Sequence, residues 1–329
     1  MLTTRFTKLV GCTIPIQQAG MGAAAPPELA AAVSEAGGLG MVGTARAGLN
    51  PTTLASLLNR TRDLTNRAFG VNFINRPGSI VAQSPREFVE QAAKVGRVVE
   101  FFYGDPNPEL VRIVHDHGAL ASWQVGSVNE AQKAADAGCD LIVAQGIEAG
   151  GHIRGTVGLL SLLSEVLDAV PEVPVLAAGG IGTGRAVAAA LAAGADGVRV
   201  GTRFVAATEA DVHPLYTEAL IAARAEDSVY TRTFHVGWPE APQRVLRSAI
   251  EAAEALQRDT IGNVTNIDGT QSAIPRFAAT VADRTVTGHA NAMALYAGQS
   301  VGAVKRTMPA QEIVRELAEE AEDLLRRRH

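Results

Sequence analysis

The sequence predicts an α/β protein, a closed (β/α)8 TIM barrel followed by a helical C-terminal lid. Two observations carry the prediction. Short apolar runs alternate with Ala/Leu-rich stretches through the first two thirds of the chain, and there are eight such pairs. The runs are also continuously apolar, as in parallel strands buried on both faces. Eight βα units before residue 224 match the size of such a barrel. A doubly wound open sheet shares the alternation and is the runner-up.

In chain order the candidate strands are 14–19, 39–43, 69–74, 98–103, 119–125, 141–146, 174–179 and 197–201. Helices are expected near 27–37, 52–62, 86–96, 107–118, 128–138, 157–170, 183–194 and 213–224. Ala137-Gly138-Cys139-Asp140 and Ala193-Gly194-Ala195-Asp196 repeat one signal, a glycine that ends a helix before a strand. After residue 224 the rhythm changes. His235-Val236-Gly237-Trp238-Pro239 reads as a turn, 242–257 as a helix and 260–289 as a stretch of weak periodicity. A last helix over 309–327 places Ile313, Val314, Leu317, Ala321, Leu324 and Leu325 on one face, and Arg326-Arg327-Arg328 suits its C-terminus. The expected organisation is a barrel over 1–224, a helical lid over 225–308 and a docking helix within 309–329.

Composition narrows the function. The chain has 329 residues, 47% hydrophobic and 19% charged, with a net charge of −5. That suits a folded globule and argues against nucleic-acid or anionic-membrane partners, which call for a basic face. Cys12 and Cys139 form neither a disulfide framework nor a zinc spacing, so a reducing cytoplasm is expected. No signal peptide or membrane-spanning run is read. The oligomeric state, a homodimer included, is left open.

Active residues of a barrel lie at the C-terminal ends of its strands. Ala178-Gly179-Gly180-Ile181-Gly182-Thr183-Gly184 and Gly201-Thr202 follow the last two strands, where this fold grips phosphate. Either turn alone would serve packing equally well; the pair at the two expected strands points to an anion site. Gly20-x-Gly22-x-x-Ala25 mimics a dinucleotide fingerprint, but no acid occurs between Glu35 and Asp63 to hold a ribose. The polar strand-end residues are the amides Asn72, Gln124 and Gln145, which can donate and accept without charge. They suit the edge of an isoalloxazine ring, or they satisfy buried backbone. Paired strand-end acids are absent, and Lys8, Lys94, Lys133 and Lys305 all lie away from strand ends. His152 is the one histidine on a strand-end loop, after Gly150-Gly151, and its ordinary pKa suits proton transfer. No metal site is expected, since His115-x-His117 lacks further ligands.

These residues resemble the nitronate monooxygenase family, the 2-nitropropane dioxygenase-like flavoproteins. The resemblance is carried by Pro15-Ile16-Gln17-Gln18-Ala19-Gly20-Met21-Gly22, Gly70-Val71-Asn72-Phe73, Gln145-Gly146-Ile147-Glu148-Ala149-Gly150-Gly151-His152, Ala177-Ala178-Gly179-Gly180-Ile181 and Gly201-Thr202-Arg203-Phe204. Gly237-Trp238-Pro239 and Tyr296-Ala297-Gly298-Gln299 add to it. It implies a barrel that binds FMN non-covalently. Gly179, Gly180, Gly201 and Thr202 would hold the phosphate. Met21, Gly22, Asn72, Gln124, Gln145 and Gly150 would surround the ring and ribityl chain, with Ala19, Gly20, Gly151 and Ala178 beside them. His152 would face the small-molecule substrate as base or as the group that orients it. An alkyl nitronate such as propionate 3-nitronate would be oxidised with O2 to a carbonyl compound and nitrite. FMN-dependent enoyl-ACP reductases share the histidine-bearing segment, and related members reduce quinones, so an NAD(P)H-dependent reductase is the alternative. Here the segment continues His152-Ile153-Arg154-Gly155, unlike either common pattern, and Arg154 either binds an anionic head or faces solvent.

Overall fold

In the computed structural model, residues 2–327 are described; Arg328 of the expected basic terminus lies outside them. All eight expected strands form one parallel sheet. In chain order they are β1 (Ile16–Gln18), β2 (Gly40–Gly43), β3 (Phe69–Asn75), β4 (Val98–Tyr103), β5 (Leu120–Val125) and β6 (Leu141–Gln145). A two-residue strand, β7 (Gly151–His152), intervenes before β8 (Val175–Ala178) and β9 (Gly197–Val200) complete the set. The order is β1-β9-β8-β6-β5-β4-β3-β2. Gln17 pairs in parallel with Leu39, and Leu39 N–H donates to Ile16 O at 2.9 Å, joining the two edges into a ring. Each crossover carries a helix close to its expected position, from Pro27–Glu35 to Pro214–Ala222.

Strand alternation explains why the runs look apolar throughout. On β4, Val99 and Phe101 pack outward in the main core with the helices. Val98 points inward and packs with Leu141, Val143 and Leu176 of β6 and β8. The helix Arg5–Val10 seals the bottom of the barrel: Phe6 and Val10 join that inner cluster. Six residues are too few to show helical periodicity, so this helix was not anticipated. Above the inner cluster the barrel turns polar, with Gln17, Asn72, Glu100, Ser122 and Arg199 all buried.

Residues 225–308 differ from the helical expectation and are mixed. β10 (Ser228–Thr231) and β11 (Gln243–Leu246) pair antiparallel, and β11 also pairs with β7. A second sheet joins β12 (Thr260–Thr265), β13 (Gln271–Pro275) and β14 (Thr287–Gly288). The helix expected over 242–257 begins only at Arg247, because β11 runs into it without a break. The second sheet buries only Ile261, Val264 and Ile274 from its two longer strands, too sparse a pattern to read as strands. The last helix, Ala310–Arg326, buries Ile313, Val314, Leu317, Ala318 and Ala321 and packs on the helices Gly184–Ala192 and Pro27–Glu35. Among the described residues no helix is long and apolar enough to cross a membrane.

Candidate active site

A cavity of about 550 Å3 opens at the C-terminal ends of the barrel strands. Ala19, Gly20, Met21 and Gly22 line it after β1. Gln124 and Gln145 enter from the ends of β5 and β6, and Gly150, Gly151 and His152 from the loop that follows β6. Ala178, Gly179 and Gly180 contribute after β8, Gly201 and Thr202 after β9. Asn72 is the exception among the residues anticipated for cofactor binding. It sits on the inward face of β3 one repeat below Ile74, which does reach the cavity. Its side chain lies directly under Gly20, where any Cβ would meet it at 2.3 Å, and its amide donates to Glu100 Oε1 at 2.9 Å. It therefore supports the wall from below.

That hydrogen bond opens onto a buried network that sequence reading missed. Glu100 Oε2 accepts from Gln17 Nε2 at 3.0 Å, and Glu100 Oε1 lies 2.6 Å from Arg199 Nη1. The same Nη1 donates to Gln124 Oε1. Burial pulls the Arg199 guanidinium below its usual range, and the Glu100 carboxylate works against that pull. The available signal was one charged residue in each of two otherwise apolar runs, Val98–Tyr103 and Gly197–Gly201. A lone charge among strand residues does not reveal its partner.

At the anion-binding end the helix Gly184–Ala192 does not offer its first N–H: Gly184 N–H already donates to Glu320 Oε2 at 2.7 Å. The carboxylate of the last helix thus satisfies that dipole. What faces the cavity is the Gly179–Gly180 turn, Gly201, Thr202 and the later Gly298 and Ser300. Thr202 Oγ1 accepts from Gly298 N–H at 2.9 Å, which leaves its own proton to donate. Gly150 passes so close to this segment that a Cβ would stand 2.4 Å from Gly298 N.

His152 is held at both sides of its backbone. β7 pairs with β11 in the register Gln243↔His152, and Gln145 Nε2 donates to His152 O at 3.1 Å. Arg244 secures the preceding loop by donating to Ile147 O at 3.1 and 2.9 Å and to Ser228 O at 3.0 Å. The imidazole stacks on Trp238 at 4.0 Å, with Tyr296 at 5.5 Å. Its Nε2 is buried without a partner among the described residues, as is Gln145 Oε1. Burial, helped by the Arg76 charge, pulls the His152 pKa down to about 3, so the ring is neutral. Arg76 itself stands over Trp238 at 4.9 Å, donates to Gly237 O at 3.0 Å and lines the cavity.

Arg154 does neither of the things expected of it. It pairs with Glu130 at 2.6 Å and Asp105 at 3.0 Å and lies over the Tyr103 ring at 5.3 Å, outside the cavity lining. Tyr103, at φ 90°, meets Trp238 edge-on at 4.6 Å, so this outer cluster braces the ring under His152. Arg76, Trp238 and Tyr296 come from segments far from His152 in the chain, which is why no local motif connected them.

Comparison with known proteins agrees with this architecture. The nitronate monooxygenase family model matches residues 3–320. A Rhodococcus jostii protein named (3aS,4S,5R,7aS)-5-hydroxy-7a-methyl-1-oxo-octahydro-1H-indene-4-carboxyl-CoA dehydrogenase is 38% identical over 247 residues, 75% of this chain. The match covers 66% of that relative, just under two thirds of its length. A probable nitronate monooxygenase of Staphylococcus aureus is 32% identical over 271 residues, covering 70% of this chain and 75% of the relative. Among solved structures, FabK from Thermotoga maritima superposes with a TM-score of 0.79 at 32% identity, over 99% of this chain and 98% of that one. With its family matched across nearly the whole length and a barrel whose strand ends converge on His152, the chain belongs to the nitronate monooxygenase family and is an oxidoreductase.

Proposed function

We propose that the protein binds FMN in this cavity and oxidises an alkyl nitronate, such as propionate 3-nitronate, with O2 to a carbonyl compound and nitrite. The residues present fit the cofactor. Two buried polar atoms in the site, Gln145 Oε1 and His152 Nε2, have no partner among the described residues. The donor set of Gly180, Gly201, Thr202 and Ser300 suits a phosphate, and the amides Gln124 and Gln145 suit a ring edge that both donates and accepts. When bound, FMN supplies a two-electron acceptor that O2 can reoxidise.

The observation that carries the reading is the neutral, unpartnered His152 beside the Arg76 cation. A nitronate is already deprotonated at carbon, so its oxidation needs no strong base. It needs an anion to be drawn in and oriented. Arg76 supplies the attraction and a His152 N–H the hydrogen bond, while Trp238 fixes the plane of the imidazole. An anion bound there would raise the His152 pKa from its low value and strengthen that hydrogen bond.

A second reading, an NAD(P)H-dependent reductase of an enoyl thioester or quinone, draws on the apolar wall of Ile74, Ile80, Phe102 and Val281, which offers more grease than a small nitronate requires. One experiment separates the two: a visible spectrum recorded anaerobically, first with nitronate and then with NADPH. Bleaching by nitronate, with O2 uptake on admitting air, is expected. Rapid bleaching by NADPH with no nitronate turnover would transfer the assignment to the reductase.

A further inference from the structure

We propose that Arg199 and Glu100 form an oriented charge pair beneath the cofactor, cation uppermost, and that this pair stabilises the singly negative reduced form of the flavin. The inference rests on the FMN reading above and adds an electrostatic element to it.

The orientation follows from which end of the pair reaches the cavity. Arg199 pairs with Ala178 on β8, and Ala178 pairs with Gln145 on β6. All three line the cavity. Glu100 pairs with Asn72 on β3 and with Ser122 on β5, and none of these three lines the cavity. The carboxylate is held away from the cavity by donors from three strands, Gln17, Asn72 and Arg199, and is fully buried. It cannot rise to place its charge against a ligand. Arg199 therefore presents the positive end of a fixed dipole to whatever occupies the cavity, in surroundings where charges are weakly screened. Among the described residues no lysine lines the cavity, and the other lining arginines, Arg46 and Arg76, are committed elsewhere: Arg46 to Gly43 O and Ala23 O, Arg76 to the Trp238 edge of the cavity.

Such a cation selects between two products of reduction. Two electrons from the substrate and one proton leave the flavin with one additional negative charge; a second proton would cancel it. A preorganised positive charge favours the one-proton product and with it the reduced state. Removing Arg199 alone would strand Glu100 as a buried unpaired charge, so the informative variants keep the network balanced or shift it deliberately.

The test is an anaerobic equilibrium of the flavin-loaded protein with a reference redox dye, using dithionite as reductant. Arg199→Gln/Glu100→Gln should shift the equilibrium about tenfold or more towards oxidised flavin. Glu100→Gln, which leaves the cation uncompensated, should shift it in the opposite direction, and Arg199→Lys should stay near wild type. A flavin-loaded double variant and Glu100→Gln variant both indistinguishable from wild type would overturn the proposal while leaving the FMN reading intact. The wild type gives a second measurement that no folding failure can obscure: its reduced flavin should keep the absorption of the singly charged form from mildly alkaline to mildly acidic pH. A spectrum of the neutral reduced form there would also overturn it. Protein that neither contains nor takes up flavin would remove the FMN reading itself.

Discussion

At His152 the protein holds an imidazole that water would leave partly protonated near neutral pH. The fold removes that proton by burying the ring against Trp238 and placing Arg76 nearby. His152→Ala should leave the flavin bound, because Gly180, Gly201 and Thr202 lie elsewhere in the wall, and should cut turnover by roughly 100-fold. Parallel flavin spectra and initial rates check both halves. The same burial makes His152 an acid-sensitive point. The unfolded chain protonates near the ordinary value of 6.5, the folded one only near 3. Stability from keeping the ring neutral is complete above the first value and is lost as the pH falls towards the second. His152→Gln should therefore flatten the decline in melting temperature between neutral and acidic pH relative to wild type. His152 could be singled out because its loop follows a recognisable strand. Its neutrality could not, since Trp238 and Arg76 reach it from distant segments.

Among the elements, the loop between β6 and β7 has the least room to change. Gly150→Ala would drive a methyl group to within 2.4 Å of Gly298 N. Overpacking of this kind costs about 1–3 kcal/mol. The expected outcome is a folded but less stable protein that has lost its yellow colour, read by absorbance and urea unfolding. Arg244 ties the same loop to β10 through the carbonyls of Ile147 and Ser228. Arg244→Ala leaves those acceptors without their donor and should cost about 1–3 kcal/mol. It should also lower turnover, because β7 carries His152 and pairs with β11 at Arg244; rates and unfolding curves on one preparation check this. β7 and β11 escaped sequence reading because each is short and their pairing joins remote residues, whereas the eight barrel strands each bury both faces and so declare themselves as apolar runs.

For the molecule as a whole, the C-terminal helix belongs to the barrel in both packing and electrostatics. Ile313, Val314 and Leu317 are buried in the main core, and Glu320 caps the helix that follows the Gly179–Gly180 turn. Burying each large aliphatic side chain contributes about 1.5–3 kcal/mol, so loss of three is comparable with the whole of a typical marginal stability, and the apolar surface they cover on the barrel helices is exposed as well. Truncation after Pro309 should yield insoluble or unfolded protein, while Glu320→Gln should remain folded with a lower melting temperature; soluble expression and thermal unfolding distinguish them. The eight βα units, the glycine turns after β8 and β9 and the place of His152 at the mouth were already legible in the order of the amino acids. Each depends on residues within one strand or turn, where backbone preference and two-sided burial leave a local pattern. The pairing of Glu100 with Arg199, the neutral state of His152, the capture of a helix end by Glu320 and the withdrawal of Asn72 from the wall came from the assembled chain. Those features depend on distance and burial between residues far apart in sequence, and the energy of a charge or hydrogen bond is set by that distance and that burial.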